Sequence, residues 1–384
     1  MKPFVILHVF TDDKFFDNVS DFFDSLDNVS NLYYFYAPNK NFSFKYIKQI
    51  SKIRIFQDYG EYVRTFANSE ICAIYFQGLH PHHYKYFKYI SSDKLVFWWC
   101  FGFEIYSPFA FRTNIVKCNL YKVLTRKYMK RHFYGFDNLV LQLYQFIRYP
   151  YFFLYRNKVL RRIDYFTPVL PIEYDYLRKY FTSFKAKPFM LEAGPGTFQV
   201  KSFSYNEKVG NVLVGNSLTY TNNHVDIFFY LKKCVLEKRQ KLIVPVNYGK
   251  AYRGRCKNLK QAIGEVPFPV IWLENFLPFD EYVKLLSSIT HAIFGVIRQQ
   301  AMGTIFKCLL TGVKVFLFKD SIIYQYLMSK GYFVYAIEEI CCNSLVEPLS
   351  RDEALHNFIL ATDRRKNCRL NAEMELAIIQ KECN

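Results

Sequence analysis

The sequence lacks a long uncharged apolar stretch: no run of about 18 such residues occurs, the minimum expected for a transmembrane helix. The nearest candidate, NLVLQLYQFIRYPYFFLY at 138–155, is interrupted by Arg148 and Pro150. The first residues, MKPFVILHVFTDD, form a short apolar run that meets Asp12 and Asp13, which does not fit a secretory signal. We expect a cytoplasmic protein without a membrane-spanning helix.

Several motifs of nucleotide and metal chemistry are also missing. There is no G-x-x-x-x-G-K-[ST], which argues against a P-loop nucleotidase, and no G-x-G-x-x-G follows a strand pattern. No D-x-D occurs, and the ten cysteines include no C-x-x-C pair. Free thiols in a reducing compartment are the simplest interpretation, and we predict no metal site and no cofactor.

Acidic residues are scarce in one segment of this basic chain, whose net charge is +18. Residues 112–162 contain twelve Lys or Arg and one acid, Asp137. Such a segment attracts polyanions, whether nucleic acid, anionic lipid or diphosphate groups.

The 384 residues, of which 51% are hydrophobic, suffice for two domains. Short apolar runs alternate with amphipathic stretches in both halves, most clearly after Gly210, where NVLV, KLIVPV, FPVIWL, HAIFGV and KVFLF are separated by helical patterns. Buried strands between helices predict an α/β fold with a parallel, doubly wound sheet in each half.

We predict three segments. These are a first domain at 1–190 with a basic-aromatic segment at about 112–180, a second domain at 191–365, and a terminal helix at 366–384 that packs back across the first domain.

Three polar loops of the second half follow predicted strands. Because carboxyl ends of parallel strands share one edge of a sheet, where ligands bind in open α/β folds, the loops reinforce each other. The first, in VLVGNSLTYTNNHVD, ends at a helix start suited to phosphate, although one Asn alone could simply cap that helix. Its candidate donor-binding residues are Gly215, Asn216, Ser217, Asn222, Asn223 and His224.

The second loop, in IVPVNYGKAYRGR, contributes Tyr248, Gly249 and Tyr252, and could alternatively be a basic surface turn. The third, in HAIFGVIRQQAMGT, offers an always-charged guanidinium to a diphosphate and two amides to sugar hydroxyls, ahead of a helix start. Its candidates are Arg298, Gln299, Gln300, Met302, Gly303 and Thr304; a capped surface loop is the alternative.

These stretches, together with LPFDEYVKLLSS, resemble the TDP-N-acetylfucosamine:lipid II N-acetylfucosaminyltransferase family over about residues 210–335. That family is bacterial and makes polyprenyl-linked glycans. The resemblance implies the GT-B fold, with two Rossmann-like domains facing a central cleft. It also implies donor binding by the second domain and acceptor binding by the first.

In the first half the resemblance rests on VFWWCFGFEIY, similar to a Trp-rich strand followed by W-G-x-D-x-Y. Here Phe101 replaces the Trp of that second motif, and Glu104 replaces the Asp. The resemblance makes Glu104 the candidate general base, or an acceptor-binding residue if the reaction retains configuration. A helix N-terminal acid or a salt-bridge partner is the alternative. Tyr106 is a further candidate contact to the acceptor.

The stretch LHPHHYKY places His80, His82 and His83 close together. Three histidines suggest a metal, but no Cys or carboxylate with ligand spacing accompanies them. We therefore predict an acceptor-binding loop.

The basic-aromatic segment suits the headgroup region of an anionic membrane. Single-stranded nucleic acid and an ordinary helical pair with aromatic core residues are the alternatives.

These patterns and the resemblance together predict a metal-independent glycosyltransferase, peripheral on the inner face of the inner membrane, that does not bind nucleic acid. The resemblance implies that it moves a deoxy amino sugar from a nucleotide donor, TDP-linked, to a polyprenyl-diphosphate-linked oligosaccharide. The alternatives are a basic polyanion-binding protein without transferase activity and a degenerate transferase fold that acts as a scaffold.

Overall fold

The computed structural model describes residues 3–36, 43–44, 47–56, 58–106, 120–133, 147, 150–191, 202–247, 255–275 and 277–383. The chain forms two compact units. The first unit comprises Met1–Lys117, Val140–Thr197 and Arg365–Asn384, and the second comprises Cys118–Leu139 and Phe198–Arg364.

This division differs from the predicted one at residues 118–139, which lie within the predicted first domain at 1–190. They group with the second unit. The physical reason is a set of hydrogen bonds to Asn223 and Asp226, described below.

The described part of the first unit contains one parallel sheet with strand order β3-β2-β1-β4-β5-β6-β7. Its strands are β1 (Phe4–Phe10), β2 (Val29–Phe35), β3 (Ile53–Ile55), β4 (Ala73–Gln77), β5 (Leu95–Trp99), β6 (Tyr165–Thr167) and β7 (Lys187–Pro188). Strands β4 and β1 are almost entirely buried, as expected of parallel strands covered on both faces.

The described part of the second unit also contains one parallel sheet, of order β10-β9-β8-β11-β12-β13. Its strands are β8 (Asn211–Val214), β9 (Leu242–Pro245), β10 (Val270–Leu273), β11 (Ile289–Phe294), β12 (Lys314–Leu317) and β13 (Tyr335–Ala336).

Helices connect the strands throughout the described residues. They are α1 (Phe16–Phe23), α2 (Tyr59–Ala67), α3 (Phe103–Tyr106), α4 (Val123–Phe133), α5 (Pro150–Arg162), α6 (Pro171–Tyr180), α7 (His224–Leu231), α8 (Arg255–Ile263), α9 (Phe279–Leu286), α10 (Met302–Leu310), α11 (Ile322–Ser329) and α12 (Arg351–Cys383). Short 3-10 helices occur at Asp13–Phe15, Ile50–Lys52, Pro81–Tyr89, Tyr220–Asn222 and Ile337–Glu339.

The α/β class with two doubly wound parallel sheets is therefore confirmed. The helix after β8, α7, ends at Leu231. The last helix, α12, is continuous from Arg351 to Cys383. Its residues from 365 onward belong to the first unit.

Each sheet has a point where successive connections leave in opposite directions. It lies between β1 and β4 in the first unit and between β8 and β11 in the second. The loops that follow such a pair of strands diverge and leave a crevice at the carboxyl ends, where open α/β sheets bind their ligands.

None of the described helices is both long enough and apolar enough to cross a membrane.

Candidate functional site

The loop after β8 begins with a glycine that no other residue could replace without strain. Gly215 has φ +70, and a Cβ there would lie 2.6 Å from Nε2 of His224. The side chain of Asn222 then shapes the loop: its Oδ1 accepts from the N–H of Asn216 at 3.0 Å, and its Nδ2 donates to Oγ of Ser217 at 2.9 Å. The loop is thus held as one compact turn.

The loop after β11 meets this turn through Gln300. Its Oε1 accepts a hydrogen bond from Oγ1 of Thr221 at 2.7 Å. Its Nε2 donates to Oγ1 of Thr219 at 3.1 Å and lies 3.4 Å from Oδ1 of Asn216. The first and third predicted loops therefore come together at the crevice between β8 and β11.

The backbones of the two loops also approach closely at Gly295. A Cβ at this residue would lie 2.2 Å from the carbonyl oxygen of Asn222, so a larger residue would force the loops apart. Nδ2 of Asn223 donates to the carbonyl of Gly295 at 2.6 Å. Asn223 has φ +50, a left-handed conformation that asparagine tolerates better than most residues.

Helix α10 begins at Met302, soon after Gly295 in the chain. Its N-cap is Ala301, with φ 61, and a methyl group cannot accept hydrogen bonds from the first-turn N–H groups. Met302, Gly303 and Thr304 form that first turn. Four residues before the helix, Nη1 of Arg298 donates to the carbonyl of Gln299 at 3.0 Å. A positive helix end and a guanidinium thus lie on one short segment, an arrangement suited to an anion.

Asn223, a residue of the predicted donor site, has a structural role instead, and the nearby Asp226 shares it. Asn223 accepts from the N–H of Lys122 at 2.8 Å and donates to the carbonyl of Leu120 at 3.1 Å, so its side chain is occupied. Asp226 accepts from the N–H groups of Leu124 and Thr125 at 2.9 and 2.7 Å. We correct the role of Asn223 accordingly: it joins residues 120–125 to the second unit.

His224 is buried beside Gly215. Burial, with the nearby charge of Arg255 as a smaller cause, lowers the pKa of His224 to about 4. The imidazole is therefore neutral near pH 7.

Side-chain exposure divides the predicted donor residues into two groups. Gly215, Ser217, Asn222, Asn223, His224 and Gln299 are buried. Asn216, Arg298, Gln300, Met302, Gly303 and Thr304 are partly or fully exposed and form the surface that a ligand can reach. Tyr248, Gly249 and Tyr252 lie outside the described residues.

Sequence reasoning missed Thr219 and Thr221, whose hydroxyls join Gln300 in the network and are themselves partly exposed. The available signal in the sequence was the pair of Thr residues, two positions apart, in T-Y-T-N-N.

Glu104 lies in a position that does not fit a general base. It is 2% exposed, and its carboxylate accepts from the N–H of Leu79 at 3.0 Å, from the N–H of Phe101 at 3.1 Å and from Nε1 of Trp98 at 3.2 Å. Burial raises its pKa, and these donors act in the opposite direction. A group enclosed in this way cannot reach an acceptor hydroxyl, so we assign Glu104 a structural role: it joins the segments that follow β4 and β5.

Tyr106 is enclosed as well. It is 2% exposed, and its hydroxyl donates to Oε1 of Glu173 at 2.9 Å, which connects α3 to α6. This burial removes it from the candidate acceptor contacts.

The three histidines follow β4, at the crevice of the first sheet. Nδ1 of His80 accepts from the N–H of His82 and so caps the 3-10 helix Pro81–Tyr89. The ring of His82 stacks on Tyr36, with centroids 4.5 Å apart. His80 and His82 are partly exposed, but His83 is fully buried, and burial holds its pKa well below the usual range. Of the three, His83 cannot touch an acceptor.

Among the described residues, no group of His, Cys, Asp and Glu is arranged to hold a metal ion.

Comparison with solved structures identifies the fold. The chain is similar to sucrose-phosphate synthase from Thermosynechococcus elongatus (TM-score 0.59, 8% identity, covering 99% of this chain and 98% of that one). It is also similar to an E. coli trehalose-6-phosphate structure bound with UDP-2-fluoro glucose (0.56, 10%, 98% of each chain). An Anabaena protein in complex with UDP and glucose is a third (0.54, 12%, 99% and 100%). The fold is GT-B, as predicted.

The family follows from the sequence itself. The model of the 4-alpha-L-fucosyltransferase family, glycosyl transferase group 56, matches residues 111–352, more than half of the chain. The chain belongs to this family and is a glycosyltransferase. A search of curated proteins found no significant match.

The structural role of Glu104 can be tested with Glu104→Gln. The amide would turn an N–H group toward donors that now face a carboxylate, so we expect a loss of about 1–3 kcal/mol in the free energy of unfolding. Activity per folded molecule should stay within about tenfold, whereas loss of a general base would cost about 10²–10⁴-fold. Urea unfolding and initial-rate assays measure both quantities, with the exposed Glu70→Gln as control. A stable variant with a 10²-fold lower kcat would contradict the assignment.

Proposed function

We propose that this glycosyltransferase moves a deoxy amino sugar from a TDP-linked donor to a polyprenyl-diphosphate-linked oligosaccharide. The fucosyltransferase family supports a deoxy sugar, because fucose is 6-deoxygalactose. The motifs around Asn216 and Arg298, similar to those of TDP-N-acetylfucosamine enzymes, support the nucleotide and the lipid-linked acceptor.

The observation that carries the proposal is the junction of two loops at the crevice between β8 and β11. It provides an amide and hydroxyls at Gln300, Thr219 and Thr221, next to the guanidinium of Arg298 and the start of α10. Amides and hydroxyls bind sugar hydroxyls, and the cation and helix end bind a diphosphate. Similar folds solved with UDP compounds are consistent with a nucleotide-sugar ligand.

This arrangement suits the chemistry of sugar transfer. The oxygen of the acceptor hydroxyl forms a bond to the anomeric carbon, and its proton passes to water or to a phosphate oxygen of the leaving group. The bond from that carbon to the diphosphate oxygen breaks, and the nucleoside diphosphate leaves with the electron pair. Negative charge therefore grows on the leaving diphosphate. Arg298 and the first turn of α10 would stabilise that charge where it develops. On the acceptor side, His80 and His82 remain the candidate contacts.

Membership of a glycosyltransferase family removes the alternative of a basic polyanion-binding protein without transferase activity. We propose that the protein binds no nucleic acid.

The donor site predicts nucleotide-dependent stability. TDP or UDP should raise the melting temperature more than GDP or CMP, because a ligand that binds the folded state alone stabilises it, by about 2.7 kcal/mol at a hundred times its Kd. Arg298→Ala should abolish most of the shift, while the exposed Arg239→Ala should retain it. Differential scanning fluorimetry with each nucleotide measures this. Equal shifts in both variants would refute the role of Arg298, and no shift in folded wild type would refute the site.

We also propose contact with an anionic membrane through α5. Leu154, Lys158 and Arg161 are spaced i, i+4 and i+7, so they share one helix face, and all three are exposed. Leu154 is 72% exposed, while Val159 and Leu160 on the other side are buried. An apolar side chain flanked by two cations on one face suits the headgroup region of an anionic bilayer.

The double variant Lys158→Gln/Arg161→Gln should bind vesicles containing phosphatidylglycerol more weakly. Each basic residue near such a surface contributes about 1 kcal/mol, so a loss of about thirtyfold in partitioning is expected at low salt. Vesicle co-sedimentation measures the partition coefficient, with Lys238→Gln/Lys330→Gln as the charge-matched control. If both double variants bind as tightly as wild type, α5 does not contact the membrane.

A further inference from the structure

Residues 120–129, here called the strap, are the start of an unexpected element of the second unit. The strap consists of Leu120–Lys122 and the first two turns of α4. Charge and composition alone placed it in the first domain. Its contacts instead connect it to the segments that follow β8, β12 and β13 at the carboxyl edge of the second sheet.

The loop after β8 binds the backbone of the strap. Asn223 contacts both the N–H of Lys122 and the carbonyl of Leu120. Asp226 accepts from the N–H groups of Leu124 and Thr125, which are orphan donors in the first turn of α4. A carboxylate at this place also stabilises the positive end of the helix.

The side chain of Lys122 extends the strap across the sheet edge to the loop after β12. Its Nζ lies 3.1 Å from Asp320 and 3.6 Å from Glu338. It also lies 4.4 Å from the ring centroid of Phe318. The strap therefore crosses the edge from β8 to β12, and Asn223 connects it to Gly295 after β11.

A small cavity separates the strap from the loop after β8. Thr125 and Tyr128 line it from the strap, Tyr220 and His224 from the loop, and Arg255 from α8. Among the described residues, Oγ1 of Thr125 and Nε2 of His224 are buried without a hydrogen-bond partner. An unsatisfied buried polar atom costs about 1–3 kcal/mol, and the cavity, of about 10 Å³, has room for no more than one water molecule.

We propose that the strap is part of the nucleotide-sugar site, and that Asp226 and Lys122 are positioning residues that hold it there. This inference rests on the function proposed above. The strap covers the carboxyl edge at the loops that would hold the donor, and its anchoring asparagine also fixes the Gly295 junction. Donor binding and strap anchoring are then linked: each strengthens the other by the same factor.

The linkage can be measured with TDP and UDP as probes. In Asp226→Asn, an amide N–H replaces one acceptor and faces a helix N–H, which loosens the strap. Lys122→Met removes the ion pairs while keeping an unbranched apolar side chain of comparable length. Both variants should raise the Kd of the nucleotide about fivefold or more, at a temperature where each is folded. Lys122→Arg, which keeps the positive charge, should bind the nucleotide with the Kd of the wild type.

The rate of tryptic cleavage within the strap provides a second readout. If the strap has only a structural role, the nucleotide should not change this rate. The nucleotide should slow cleavage after Lys122, Arg126 and Lys127, located by mass spectrometry, by about fivefold or more in wild type. Glu339→Gln, which removes an exposed ion pair with Lys319, should behave as wild type in both assays.

The outcomes separate the two proposals. If nucleotides stabilise wild type but leave strap cleavage unchanged, and the Kd is the same in Asp226→Asn and Lys122→Met, the strap is a structural element and the inference is wrong. If no nucleotide stabilises wild type, the proposed donor site itself is wrong, and the inference falls with it.

Discussion

The close approach of two loops at Gly295 determines much of the second unit. The carbonyl of Asn222 occupies the space that a side chain would need, and the neighbouring Asn223 binds the carbonyl of Gly295. This contact fixes the loop after β8 against the loop after β11 at the crevice of a doubly wound sheet. The network around Gln300, the start of α10 and the attachment of residues 120–125 all lie within a few residues of it.

The same contact explains why polar residues that look like ligand contacts in the sequence serve different purposes. Asn222, Asn223 and Asp226 use their side chains to satisfy backbone groups, and they are buried. Asn216, Thr219 and Gln300 keep part of their surface exposed. Buried polar groups need hydrogen-bond partners, so some Asn side chains of such a motif bind backbone groups of the protein and do not contact a ligand. Glu104 follows the same rule in the first unit, where a single carboxylate satisfies several donors.

Periodicity predicted most of the fold. Continuous apolar runs such as FVILHVF and HAIFGV identified central parallel strands, which is the pattern least affected by context. The short edge strands β7 and β13, of two residues each, gave no such signal. For the site, the sequence identified the loops after β8 and β11 because strand ends converge on one edge. It could not reveal that Lys122 reaches Asp320, since a contact across 198 residues leaves no local pattern. Nor could it reveal that all three residues of NNH are buried, or that His83 is the buried histidine of HPHH.

Hydrogen exchange with and without TDP or UDP tests the central claim most directly, because it locates the nucleotide on the chain. The account predicts slower exchange at residues 215–224 and 298–305, where the two loops and the first turn of α10 lie, with strand β1 of the first sheet unchanged. Binding that protects residues of the first unit and leaves both loops unaffected would contradict the assignment of the donor site to the crevice between β8 and β11.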